Sequence, residues 1–160
     1  MGEWNRSSQD CTLETFNPEN RAAILKHVET NNLGSILEDE LMCIETISEK
    51  KKKGLFSGGD HQVIVSVVLT ARWLVWAIQG DKSGIGVLST QLCDAVVRDY
   101  AASEFFKLVP DTGIQVTAPF IGTFAGSPSE QGTLFIPLGE ESIAHRFKDQ
   151  LVQAAQKAKH

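Results

Sequence analysis

The chain has 160 residues, a net charge of −5 and three cysteines, and 42% of its residues are hydrophobic. That length fits one domain able to bury a core without disulfides or metal, and the widely spaced Cys11, Cys43 and Cys93 read as neither a disulfide framework nor a zinc site. Charge is uneven: residues 1–49 hold ten acids against three bases, and Lys50 to Lys53 is the one consecutive basic run, which disfavours a nucleic-acid module.

The opening residues MGEWNRSSQD lack a basic and then apolar leader, so a cytoplasmic chain is expected. Asn5-Arg6-Ser7 matches a glycosylation acceptor that has meaning only after secretion. Gly2 would suggest myristoylation, but Arg6 stands where Ser or Thr is needed. Residues 1–16 are polar and aperiodic and are expected to form a loose arm, with a single domain over 17–160.

Asn17-Pro18-Glu19 predicts a helix start. Asn17 suits the N-cap, Pro18 the first helical position and Glu19 the positive end of the helix dipole. This N-terminal helix, within 17–34, takes its apolar side from Ala22, Ala23, Ile24, Leu25 and Val28 and fades near Asn31-Asn32. His27 within it reads as a half-buried or surface histidine rather than a ligand. A first strand is expected over Leu41 to Ser48, and the lysine run with the glycine-rich stretch from Gly54 to Gly59 forms the loop that follows.

Gln62 to Gln79, QVIVSVVLTARWLVWAIQ, is the longest stretch that is both apolar and rich in β-branched and aromatic residues. Val63, Val65, Val67 and Leu69 share one face, while Gln62, Ser66 and Thr70 make the other more polar, which is strand periodicity. Thr70-Ala71-Arg72 turns the chain, and Trp73 to Ile78 returns with Trp73 and Trp76 on opposite faces. A membrane span is disfavoured by Arg72 at mid-stretch and the polar residues around it. Both tryptophans are expected in packing, with a binding groove as the alternative for one of them.

Gly80 to Gly84 is the next turn, followed by short strands over Ile85 to Ser89 and Ala95 to Tyr100. The stretch AASEFFKLVPDTG reads as a helical turn or a broken strand. Ile114 to Ile121 predicts a strand, which Pro119 assigns to an edge or an end. TFAGSPSEQG is a loop and Thr133 to Pro137 a last strand. From Glu140 to Ala158 the period becomes helical, with Ile143, Phe147, Leu151 and Ala154/Ala155 on one stripe, acids in the first turn and Lys157, Lys159 and His160 in the last.

Seven short strands followed by one amphipathic C-terminal helix, together with an apolar strand ending Leu69-Thr70, a tight turn, Arg72 and a return strand with tryptophans, resemble the bacterial PH-like (pleckstrin-homology superfold, GRAM-like) pattern over residues 41–158. The resemblance implies a mainly β fold with flanking helices: a seven-stranded half-open barrel capped by the C-terminal helix, plus the N-terminal helix outside it. It implies a non-enzymatic binding module with a protein or peptide partner, taken as an extended strand against a sheet edge beside the C-terminal helix.

The alternative is attachment to an anionic membrane surface at its cytoplasmic face. In lipid-binding members the loop after the first strand is basic, and here it carries Lys50, Lys51, Lys52 and Lys53, with Leu55 and Phe56 as apolar residues able to insert. The following strand has no base before Arg72, a departure from the phosphoinositide pattern that weighs against specific headgroup recognition. The plainer reading of the lysines is a solvated loop.

No catalytic residue, cofactor or metal is expected. Ser83-Gly-Ile-Gly86 lacks the third glycine and the helix of a phosphate-binding loop and reads as a turn. Cys93 beside Asp94 has nothing local to activate it as a nucleophile, and His61 and His145 have no ligand-spaced partner.

Overall fold

A computed structural model describes residues 3–51, 59–122 and 131–160. Among them nine strands and two α-helices occur in the order β1 (Trp4–Cys11), α1 (Pro18–Thr30), β2 (Glu40–Lys50), β3 (Gln62–Thr70), β4 (Trp73–Gly80), β5 (Gly84–Gln91), β6 (Val96–Asp99), β7 (Gly113–Pro119), β8 (Ile121–Gly122), β9 (Gln131–Pro137) and α2 (Ser142–Ala158). The strands make two antiparallel sheets, β1-β2-β3-β4-β5-β8 and β6-β7-β9. The mainly β class with flanking helices holds, and no closed barrel is found among the described residues.

The central hairpin is present. Val63 to Leu69 of β3 pairs with Leu74 to Gly80 of β4, and the Thr70 hydroxyl receives the backbone N–H groups of Arg72 and Trp73, which closes the turn. Its two faces enter two different cores. Val65, Val67 and Leu69 of β3, Leu74 and Trp76 of β4 and Leu88 of β5 join Ile114, Val116, Ile136 and the α2 residues Phe147 and Leu151 in the main core. Val68, Val75, Ala77 and Val87 face the other way and meet Ile24 and Phe16. Because both faces are covered, the hairpin reads as a nearly unbroken apolar run.

The loose arm expected over residues 1–16 is corrected: Trp4 to Cys11 is an edge strand paired along its whole length with β2. Its residues WNRSSQDC are almost all polar because one edge and much of its surface face solvent, so no apolar alternation marks it. What holds it is polar. Arg6 donates through Nε and Nη2 to the two carboxylate oxygens of Asp111, at 2.7 and 2.6 Å, and through Nη1 to the Ser48 hydroxyl at 2.6 Å. Two residues on, the Ser8 hydroxyl shares a hydrogen with Thr46 at 2.6 Å and accepts from the Gly139 N–H at 2.8 Å. β1 therefore bridges the large sheet to the loops flanking the small sheet.

α1 starts as its cap sequence implies, with the Asn17 side chain accepting from the N–H groups of Glu19 and Asn20. The helix lies on β3, β4 and β5. Its buried face mixes Ile24 and Val28 with Asn20 and His27. Asn20 donates to the Ser66 hydroxyl at 2.9 Å, and Ser66 in turn donates to the buried carboxylate of Glu45 at 2.7 Å.

His27 is more deeply buried than the sequence suggests, at 8% exposure, with Nε2 at 2.8 Å from the Ser89 hydroxyl. Burial holds its pKa below the ordinary 6.5. The unfolded chain then binds more protons than the folded one just below that value, so stability is complete above pH 6.5 and is lost as pH falls from there through the folded pKa. Urea midpoints measured between pH 7.5 and 5 should fall in the wild type and stay flatter in His27→Gln. Parallel profiles would reject His27 as the source.

β8 is too short to be read from sequence. It pairs Ile121 and Gly122 with Ser89 and Leu88 of β5. Gly122, at φ 136°, passes so close to the Val87 carbonyl that a side chain there would collide with it. Pro119 closes β7 at its end, and β7 is the middle strand of its sheet rather than an edge.

Candidate binding edge beside the C-terminal helix

β6 pairs through Val96 to Asp99 with Thr117 to Ile114 of β7 and, among the described residues, has no strand on its other side. α2 runs beside it. Lys148 Nζ approaches Asp99 Oδ2 at 3.2 Å near one end, and Lys159 Nζ donates to the Ala95 carbonyl at 2.6 Å near the other. These two contacts fix helix and strand antiparallel and place the 148–152–155–159 stripe of α2 along β6. Ala155 on that stripe is buried, whereas Val152 is 40% exposed. Val96 projects to the outer face of β6, away from the core-facing Val97, and is 54% exposed.

The outer face of the small sheet carries a groove of about 410 Å³ lined by Val96, Arg98, Gln115, Thr117 and Thr133 and walled by Ser103, Glu104 and Phe105. The wall is built by Tyr100, whose hydroxyl donates to the Val109 carbonyl at 2.7 Å and whose ring meets Phe106 and Phe135 edge-on. Anchoring the loop there turns Phe106 inward and leaves Phe105, Leu108 and Val109 outward, at 58%, 80% and 61% exposure. Exposed apolar side chains this close together on a small domain mark an interaction surface more often than scattered single ones do. Ser103 also lines the groove at 9% exposure, with its Oγ turned away from solvent.

The lysine-loop residues are not brought together as a described site. Lys50 closes β2 and donates its N–H to the His61 carbonyl, and Lys51 donates its N–H to the Glu3 carbonyl, both at 2.9 Å. Lys52, Lys53, Leu55 and Phe56 lie outside the described residues. Lys51 does line a hollow of about 370 Å³ with Trp4 and Arg6, but Glu140 and Glu141 line it too. These carboxylates oppose an anionic ligand there.

The other sequence candidates resolve into structure. Trp76 is fully buried and meets Phe120 edge to face at 5.7 Å, whereas Trp73 is half-buried and borders a surface hollow with Arg72, Cys93 and Lys157. Ser83 to Gly86 enters β5 from the β4–β5 turn. The Asp60 carboxylate accepts from the N–H groups of Lys82 and Ser83 and from the Ser83 hydroxyl, so those amides are already occupied. The same bonds hold the Asp60 carboxyl below the usual range, with the Ser83 hydroxyl the largest cause. Cys93 is exposed, with its thiol 3.5 Å from Gln91 Oε1. No group of three or more His, Cys, Asp or Glu suited to a metal occurs among the described residues, and no helix there is long and apolar enough to cross a membrane.

Compared with known proteins, the chain is matched by no protein-family model, no curated protein and no solved structure.

Proposed function

We propose that this chain is a non-enzymatic PH-like binding module whose partner is a protein, taken as an extended segment along β6. Support for the PH-like reading comes from connectivity: the β2–β5 meander is followed by the three-stranded β6-β7-β9 sheet and then by a C-terminal helix packed in the main core. The observation that carries the binding reading is the edge of β6 left unpaired among the described residues, bordered by α2 and flanked by exposed Val96 and Val152.

An added strand would gain main-chain hydrogen bonds from β6. Its alternate side chains would fall to opposite faces, one set toward Val96, Phe105 and Ser103, the other toward Val152. Arg98 and Glu104 both line this side and are exposed, so a docking segment of either charge meets an opposite partner there. The expected ligand alternates apolar residues and places an acid beside Arg98 or a base beside Glu104.

The test is selection of extended peptides from a random display library against the folded protein, followed by amide shift mapping. Binders should perturb residues 95–99 and 148–159, Val96→Lys and Val152→Lys should each weaken binding by about tenfold or more, and Arg98→Glu should select against acidic peptides. Shifts confined to the Lys50 and Lys51 end of the molecule, or binding indifferent to Val96 and Val152, would reject the β6 assignment. Sedimentation with anionic vesicles at low and physiological salt tests the lysine-loop alternative separately.

A further inference from the structure

Cys11 and Cys43 stand 32 positions apart in the chain, yet the β1–β2 register sets them directly opposite one another. Directly opposed residues of an antiparallel pair project to the same face, with Cα atoms about 4.5–5.5 Å apart. A disulfide spans Cα separations of about 4.4–6.8 Å. The backbone is therefore already where the bond needs it. Both sulfurs belong to the cluster beneath α1, where Cys43 is 1% exposed and Cys11 packs against it from a half-buried position. Both are free thiols. Cys43 Sγ donates to Glu40 Oε1 at 2.5 Å, so a proton acceptor is already in place at the buried thiol.

We infer that Cys11 and Cys43 form a cross-strand thiol pair that a disulfide-exchanging oxidant converts into a bond stapling β1 to β2. The chemistry balances with glutathione disulfide as oxidant. The more accessible Cys11, as thiolate, attacks one sulfur of glutathione disulfide, forming a mixed disulfide and releasing one glutathione thiolate. Cys43 then gives up its proton and attacks Cys11 Sγ, which breaks the mixed disulfide and expels the second glutathione. The two cysteine protons end on two reduced glutathiones, and the protein has lost two electrons. Burial raises the pKa of both thiols, and Glu40 raises that of Cys43 further, so the exchange is slow at neutral pH and accelerates as pH rises. Cys93 is exposed in the turn after β5 with no cysteine paired to it among the described strands, so it can pair only with a thiol outside the molecule, such as glutathione or a second copy.

The experiment uses the folded 160-residue chain with Cys93→Ser, incubated with glutathione disulfide at pH 7 and pH 8.5, then alkylated and weighed intact. The expected product has lost about 2 Da, the two thiol hydrogens. It has no alkylatable thiol and yields one linked peptide containing Cys11 and Cys43. It forms faster at the higher pH, and its urea midpoint is above that of the reduced protein. Cys11→Ser, at a half-buried position, should leave Cys43 reduced until the chain is unfolded, and Cys43→Ala should leave glutathione attached to Cys11. A product that retains glutathione on Cys11 beside an alkylatable Cys43, a bond that forms only in urea, or an oxidised form with a lower midpoint would each overturn the inference.

Discussion

Phe147→Ala should lower the unfolding free energy by about 3–5 kcal/mol, the range for removing a fully buried phenylalanine. The side chain is completely buried and is the largest that α2 contributes to the main core, where it joins Ala144, Leu151 and Ala154 against residues of both sheets. Since whole domains are stable by about 5–15 kcal/mol, the loss is a large fraction of the total. Phe147→Leu, which keeps most of the apolar volume, should cost much less, and Val152→Ala, two-fifths exposed on the same helix, should cost about 1 kcal/mol or less. Urea denaturation followed by circular dichroism ranks the three. If Phe147→Ala and Val152→Ala unfold at the same midpoint, α2 is not held by its apolar stripe. α2 also borders the β6 edge, so peptide binding should weaken in Phe147→Ala under conditions where the sheets remain folded.

The second large effect is expected at Arg6. Its side chain is 8% exposed and that of its partner Asp111 16%, and the guanidinium lies over the rings of Trp4 and Phe135 at 5.6 and 5.5 Å from their centroids. Arg6→Ala leaves a mostly buried carboxylate whose remaining bond is from the Thr112 N–H at 2.8 Å, and a loss of about 3 kcal/mol or more is expected for breaking such a pair from one side. Arg6→Lys should rescue little, because an ammonium cannot supply the paired planar donors that Asp111 and Ser48 receive. Arg6→Met combined with Asp111→Leu should recover a large part of the loss by removing both charges together. A double-mutant cycle measures the coupling directly. Additive single losses would show that the guanidinium acts only through its packing against the two rings.

The parts of the fold that could be read from the chain are those whose signal is local. Asn17-Pro18 marks a helix start because the cap bonds lie within three residues. The β3–β4 hairpin is legible because two residues separate its strands, and α2 because one stripe of its sequence is apolar. β1 is illegible for the opposite reason: its partners Asp111, Glu141 and Gly139 are remote in sequence and its own residues are polar. The same distance hides the Cys11–Cys43 pair, which spacing alone argues against. The residues exposed along β6 are not legible in the sequence either. Val96, Phe105 and Val152 look like ordinary core residues until the loop anchored by Tyr100 and the antiparallel run of α2 leave them facing solvent.

The bond from Arg6 to Asp111 joins residues 105 positions apart, and that separation has a kinetic meaning. The β2–β5 meander can assemble from neighbouring hairpins, with short loops to close. β1 leaves the ribosome before its partners: its pairing strand follows some 30 residues later and its arginine's acceptor about 100 residues later. The N-terminal strand is thus made early and seated late. Contacts of such long range slow folding, and stopped-flow refolding should place the closure of this strand in the slowest phase. The transient species before that step would carry an uncovered β2 edge, the point at which a nascent chain of this sequence is most exposed to pairing with another copy.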